Sequence, residues 1–280
     1  MLATRIATAA VLIPIVLAAL FLLPPRIFGV ALLAVVVIAA YEWARLVGFK
    51  PRRSLLFVVG TFLLGFDLLF GAPGFADGWP PAVVLTVCGT ATVFWVLVAT
   101  PWIALAWPTR SQITLALVGW LVLIAAWLAL VELQARSPWL VLAAMAIVWI
   151  ADTAAYFAGR AFGRHKLAPH VSPGKTWEGV MGALIGVAIY ALALVPFAAR
   201  AGFHGSVDAA TIALWLVFVA ALAAVSVVGD LFESMLKRHA GVKDSGHLLP
   251  GHGGVLDRTD ALLAAMPPAA LAALLFLHRP

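Results

Sequence analysis

The sequence predicts an all-α fold: a polytopic integral membrane protein of about nine transmembrane helices, N-terminus in and C-terminus out. Three observations carry this. The 280 residues are 64% hydrophobic and only 11% charged, with mean hydropathy +1.08. An ordinary soluble domain carries about 25% charged residues, so a soluble globular enzyme, a disordered chain and a coiled coil are excluded. The apolar residues fall in runs of about 20, the length a helix needs to cross a bilayer core of about 30 Å. The basic residues are distributed unevenly between the connections.

The spans fall near residues 5–23, 27–47, 54–71, 82–100, 112–131, 138–158, 178–199, 211–229 and 261–277. The first is too long for a signal-peptide core and no A-x-A-like site follows it, so it reads as a retained span. Pro24-Pro25-Arg26 ends it, and Lys50-Pro51-Arg52-Arg53 separates the second from the third. The fourth could extend to 107 and contain a re-entrant stretch. Trp107-Pro108-Thr109-Arg110 and Arg136-Ser137-Pro138 bound the fifth. The chain is one integral membrane domain over 1–280, with N-terminal spans in 1–137 and the chemistry-bearing spans and loops in 138–280. No repeat of fixed period is present.

With nine spans, one face collects only Arg26, Arg136, Arg200 and Arg279, and the other takes the remaining 14 of the 18 Lys and Arg. The positive-inside rule makes the richer face cytoplasmic. The net charge of +6 is thereby explained by orientation, with no nucleic-acid partner. The 11 Trp include Trp43, Trp79, Trp107 and Trp139 near span ends, where interfacial anchoring is expected. Cys88 cannot pair within the chain and reads as a small buried hydrophobe.

Two longer connections, 159–177 and 230–260, share the basic face. The second holds five of the 12 acidic residues: Asp230, Glu233, Asp244, Asp257 and Asp260. Asp230, Glu233, Ser234 and Lys237 are spaced i, i+3, i+4, i+7, which places them on one helical face, with Leu231, Met235 and Leu236 turned away. Such a face suits cation and phosphate binding, and a solvated helix end with i,i+4 ion pairs is the alternative. An ionisable group abutting an apolar span favours the site.

In Gly251-His252-Gly253-Gly254-Val255-Leu256-Asp257-Arg258-Thr259-Asp260, the glycines allow close backbone approach to an anion. Asp257 and Asp260 lie one turn apart at the start of the last helix. Such oxygen ligands suit Mg²⁺, which takes one or two carboxylates plus substrate phosphates, but acids at a helix N-terminus also serve as caps.

Gly174-Lys175-Thr176 has Pro169 where a P-loop needs glycine, and no strand is expected before it, so P-loop nucleotide binding is rejected. Lys175 and Thr176 at a helix N-terminus still favour phosphate, with a membrane-surface anchor as the other reading. Asp152, inside a span among small residues, either lines a polar cavity or bonds to a neighbouring helix. His239, His247 and His252 lack the partners of a zinc site. No G-x-S-x-G elbow occurs. His204 and His278 read as surface residues.

The run Ser234-x-Leu236-Lys237-Arg238-x₄-Lys243-Asp244-x-Gly246-x₂-Leu249-Pro250-x-His252-Gly253-Gly254-Val255-x-Asp257-Arg258-Thr259-Asp260 resembles the signature of the phosphatidate cytidylyltransferases, the CDP-diacylglycerol synthases. Ser172-Pro173-x-Lys175-Thr176-Trp177-Glu178-Gly179 and Ala151-Asp152-Thr153 are similar to that family's upstream motifs. The motifs cover roughly 150–260. Ala261 departs from them, standing where a small hydroxyl residue is expected.

The resemblance implies transfer of the cytidylyl group of CTP to phosphatidate, with Mg²⁺ and a second, monovalent cation as cofactors. It also implies a homodimer in the cell (inner) membrane, surrounded by membrane lipids, with its active site facing the cytoplasm. On it, Asp230 and Asp257 hold the metal, with Glu233, Asp244, Asp260 and Asp152 as outer candidates. Lys175, Lys237, Arg238, Lys243 and Arg258 join the two aspartates as catalytic candidates. Substrate-binding candidates are Ser172, Lys175, Thr176, Glu178, Ser234, Lys237, Arg238, Lys243, Asp244, His252, Gly253, Gly254 and Arg258. The competing functions are a CTP-dependent lipid kinase and a lipid transporter of similar architecture; polar residues gathered on one face, without an internal repeat, argue against the transporter.

Overall fold

The computed structural model describes residues 2–71, 75, 77–108, 111–198, 201, 203, 205–248, 250, 251 and 253–277, with backbone alone for 2–7 and 9. Nine long helices are found there: α1 Leu2–Leu22, α2 Pro25–Leu46, α3 Pro51–Phe70, α4 Pro81–Ala104, α5 Gln112–Arg136, α6 Pro138–Phe162, α7 Trp177–Phe197, α8 Ala209–His239 and α9 Leu256–Phe276. The eight from α2 to α9 are long and apolar enough to cross a membrane; in α1 the apolar stretch with described side chains is Ala10–Leu22. The chain is a membrane protein.

Proline opens α2, α3, α4 and α6, at the one helical position where its missing N–H costs nothing. Side-chain caps open three others: Ser111 for α5, Thr176 for α7 and Asp208 for α8. The Thr211 amide donates to Asp208 at 2.8 Å and holds its carboxyl below the usual carboxylate range.

Several expectations are corrected. The fourth span, which could have held a re-entrant stretch in 82–107, is a helix that runs to Ala104 with a π-helical section at Phe94–Ala99. That section aims Trp95 at α9, where its indole N–H donates to the Leu263 carbonyl at 3.1 Å. Pro267 lies four residues on and has no N–H to offer that carbonyl, so the indole satisfies a backbone group the proline leaves open. The connection expected at 230–260 shrinks to 240–255, because α8 continues to His239 and α9 begins at Leu256. The connection after α6 folds into an antiparallel hairpin, β1 Lys166–Ala168 and β2 Ser172–Thr176, so a strand does lead into α7. Trp43 and Trp79 are interior rather than interfacial: their indoles donate to the carbonyls of Leu115 (3.1 Å) and Leu68 (2.8 Å). Trp107 and Trp139 are exposed. His204 and His278 lie outside the described residues.

The core centres on Phe232 of α8. Trp43, Phe94, Trp95 and Trp102 surround its ring at centroid distances of 5.5–6.4 Å. These contacts clamp α8 to α2 and α4, so the opposite face of α8 carries its polar residues. Small residues bring the remaining helices close. A Cβ at Gly186 would stand 2.9 Å from Ala154 on α6, and one at Gly229 would stand 2.5 Å from the Asp260 carbonyl on α9. Ala261 is buried at that crossing, and its amide donates to Asp260 Oδ1 at 2.8 Å.

Candidate active site

The polar site forms where the C-terminal end of α8 meets the N-terminal ends of α7 and α9. Three pieces of chain are brought together there. The first is the hairpin. Glu178, in the first turn of α7, accepts from the Arg164 and His165 amides at 3.1 and 3.2 Å and meets His165 Nδ1 at 2.7 Å. Thr176 is buried, and its hydroxyl caps α7 by accepting from the Gly179 amide at 3.1 Å. These bonds fix the strand that carries Lys175, whose Nζ lies 2.7 Å from Asp230 Oδ2. Ser172 sits in the same strand, paired with Ala168. Arg238 Nε donates to the Val171 carbonyl at 3.4 Å and ties the end of α8 to the hairpin.

The second piece is α8 itself. Asp230, Glu233, Ser234 and Lys237 do share one side of the helix. The Ser234 hydroxyl donates to Asp230 Oδ1 at 3.2 Å, and Lys237 Nζ reaches Glu233 Oε2 at 2.8 Å. Lys237 also reaches across to Asp257 Oδ1 at 2.8 Å. The third piece is the turn before α9. Asp257 Oδ2 accepts from the Ser245 amide and hydroxyl and from the Gly254 amide at 2.8–2.9 Å. Gly253 holds φ at +84°, a conformation that favours glycine.

The result is a row of charges in which two lysines enclose three carboxylates: Lys175, Asp230, then Asp260 and Glu233, then Lys237, with Asp257 beyond it. Asp152 is exposed on α6, within electrostatic reach of Asp230 and Lys175. Asp260 stands against Glu233 and within reach of Asp230. Glu233 is only 4% exposed, and its Oε1 has no hydrogen-bond donor among the described residues.

Lys243 and Asp244 are exposed on the wall of an adjoining cavity of about 370 Å³, with Arg45, Ser245, Gly246 and His247. Arg258 is exposed on the first turn of α9. His252 lies outside the described residues.

Two site residues come from outside the motifs. Glu42 on α2 is 3% exposed and accepts from the Val255 amide at 3.0 Å, the Leu256 amide at 2.9 Å and the Ser245 hydroxyl at 3.2 Å. Arg45, one turn further on, lines the cavity. An acidic residue inside an otherwise apolar span is the signal that marks Glu42.

Among the described residues no group of three His, Cys, Asp or Glu is gathered to hold a metal unaided. A hard divalent ion there would need substrate phosphates to complete its ligands; Asp260 lies within electrostatic reach of Asp230 and Glu233, and one buried oxygen of Glu233 has no hydrogen-bond donor among the described residues. The arrangement can hold polyanions between lysines and carboxylates.

A model of the cytidylyltransferase family matches residues 3–276. A phosphatidate cytidylyltransferase of Pseudomonas aeruginosa is 43% identical over 270 residues, which cover 95% of both chains. One of Haemophilus influenzae is 38% identical over 283 residues, covering 95% of this chain and 96% of that one. One of Thermotoga maritima is 35% identical over 267 residues, covering 94% and 93%.

Proposed function

This chain belongs to the cytidylyltransferase family, and on that premise we propose that it transfers the cytidylyl group of CTP to phosphatidate, forming CDP-diacylglycerol and pyrophosphate. The observation that carries the reading is the pair of lysine–carboxylate contacts, Lys175 with Asp230 and Lys237 with Asp257, at one end of the helix bundle.

The chemistry suits such a site. A phosphatidate oxygen is already anionic and needs no general base. Its lone pair forms the new bond to the α-phosphorus of CTP, the bond from that phosphorus to the α,β-bridging oxygen breaks, and the electrons leave with pyrophosphate. Catalysis is then positioning plus charge stabilisation. Lys175 and Lys237 arrive with their charge balanced by carboxylates, which keeps them in place until phosphate oxygens compete for them. Ser234 orients Asp230, and the Ser245 and Gly254 amides orient Asp257. Arg238, Lys243 and Arg258, all exposed, add to the field that draws in two polyanions.

Asp230 and Asp257 would hold Mg²⁺, with Glu233, Asp260, Asp152 and Asp244 around them. When bound, the ion neutralises charge developing on the pyrophosphate. The second, monovalent cation, the homodimer and the cytoplasmic orientation at the inner membrane belong to the same reading, supported by the resemblance of the motifs and by the 14-to-4 division of basic residues.

The test is product analysis with labelled CTP and phosphatidate in detergent. A CDP-lipid and pyrophosphate in equal amounts are expected. CDP as the sole nucleotide product would replace this reading with a lipid kinase.

A further inference from the structure

We propose that Glu42 is a positioning residue for the transfer: from α2 it fixes the turn before α9, and through that turn the carboxylate of Asp257. The inference rests on the reading of Asp257 given above. Glu42 is buried, and none of the described ion pairs includes it. A carboxylate so placed is costly unless donors surround it. Here they do. The amides of Val255 and Leu256, free of intrahelical partners at the start of α9, take one oxygen each, and the positive end of the helix faces the charge.

The connection to Asp257 runs through Ser245. Its hydroxyl lies 3.2 Å from Glu42 Oε2 and 2.9 Å from Asp257 Oδ2. A hydroxyl has one proton, so the two carboxylates share it, and neither can shift without changing what the other receives. Gly246 and Gly254 make the approach possible: a Cβ on Gly246 would strike the Glu42 carboxylate, and one on Gly254 would strike both it and the Ser245 hydroxyl. Part of the glycine pattern in the 246–254 segment is thus explained by a residue some 200 positions upstream. With Oδ2 held by this turn, Asp257 turns Oδ1 to Lys237.

The test uses the full chain in detergent with four variants: Glu42→Gln, Ser245→Ala, their double, and Asp257→Asn. Glutamine keeps the shape but sets an NH₂ against one of the two helix amides. Misplacing Asp257 in this way is expected to lower kcat about tenfold to a hundredfold. KM for CTP and phosphatidate should stay within about threefold, since substrate binding is not what is lost. The double variant should lose less than the product of the single losses.

Glu42→Gln that turns over at the wild-type kcat, or loses activity only in proportion to the folded fraction seen by size exclusion, overturns the inference. So does strict multiplicativity of the double. If Glu42→Gln does not fold, Ser245→Ala carries the test alone, and a wild-type kcat in that folded variant is the overturning result. An active Asp257→Asn overturns the site reading itself; an inactive one beside a normal Glu42→Gln overturns only the role of Glu42.

Discussion

Lys175 and Asp230 stand 2.7 Å apart, although one belongs to a two-stranded hairpin and the other to a membrane-spanning helix. The hairpin therefore serves as an arm that delivers an ammonium to the edge of α8. Its own folding depends on Glu178 and Thr176 at the start of α7. Removing a preorganised group that stabilises developing charge costs about 10²–10³ in turnover. Lys175→Ala is expected to show a loss of that order in CDP-lipid formation, with Lys175→Arg retaining part of the activity. Lys175→Ala at wild-type turnover would detach the hairpin from the chemistry.

The carboxylates are expected to differ in kind. Asp230→Asn and Asp257→Asn should each remove nearly all activity, because charge rather than shape is what a divalent cation requires. Glu233→Gln should cost less, since Glu233 is buried behind Lys237 and receives its ammonium at 2.8 Å. EDTA should stop the reaction and Mg²⁺ restore it. Measured against Mg²⁺ concentration, near-normal turnover of either Asn variant at ordinary Mg²⁺ would remove that residue from the metal site.

The helices were legible in the sequence because membrane spans announce themselves by length and by the prolines and charges between them. The α8 face was legible for a similar reason: i, i+3, i+4, i+7 spacing is a property of the helix alone. What was not legible depends on contacts between distant segments. The hairpin has three- and five-residue strands without alternating hydrophobicity, and it is held by Glu178 rather than by its own pattern. Trp43 and Trp79 sit near span ends, as interfacial residues would, yet tertiary packing buries both. Glu42 lies far from the motif-bearing segment, and its role appears only once α2 is seen against the start of α9. That Asp152 of α6 comes within electrostatic reach of Asp230 of α8 is likewise a matter of helix packing.

The opposite end of the bundle carries a second buried network, and it should govern stability rather than catalysis. Arg136 pairs with Glu132 at 2.9 Å and donates to the carbonyls of Ala273 and Leu277 at 3.0 and 3.2 Å, closing the C-terminal end of α9. Glu132 also accepts from the Trp79 amide at 3.0 Å. Removing one member leaves an uncompensated buried charge, at a cost of about 3–5 kcal/mol. Arg136→Met should lower the thermal midpoint in detergent while kcat per folded molecule is unchanged. A loss of kcat without a loss of stability would link this end to the site.

Orientation can be read with two cysteines. Cys88 is buried and can be replaced by alanine to give a silent background. Gly174 lies in the hairpin, and a side chain added there meets nothing within 4 Å; Ser206 is exposed in the connection between α7 and α8. A helix separates the two positions, so they belong to opposite faces. The proposed orientation has the basic hairpin face in the cytoplasm, on the side of CTP. In intact cells a membrane-impermeant maleimide should label Ser206→Cys but not Gly174→Cys, and cell lysis should expose the latter. Labelling of Gly174→Cys from outside would invert the topology and remove the site from its nucleotide supply.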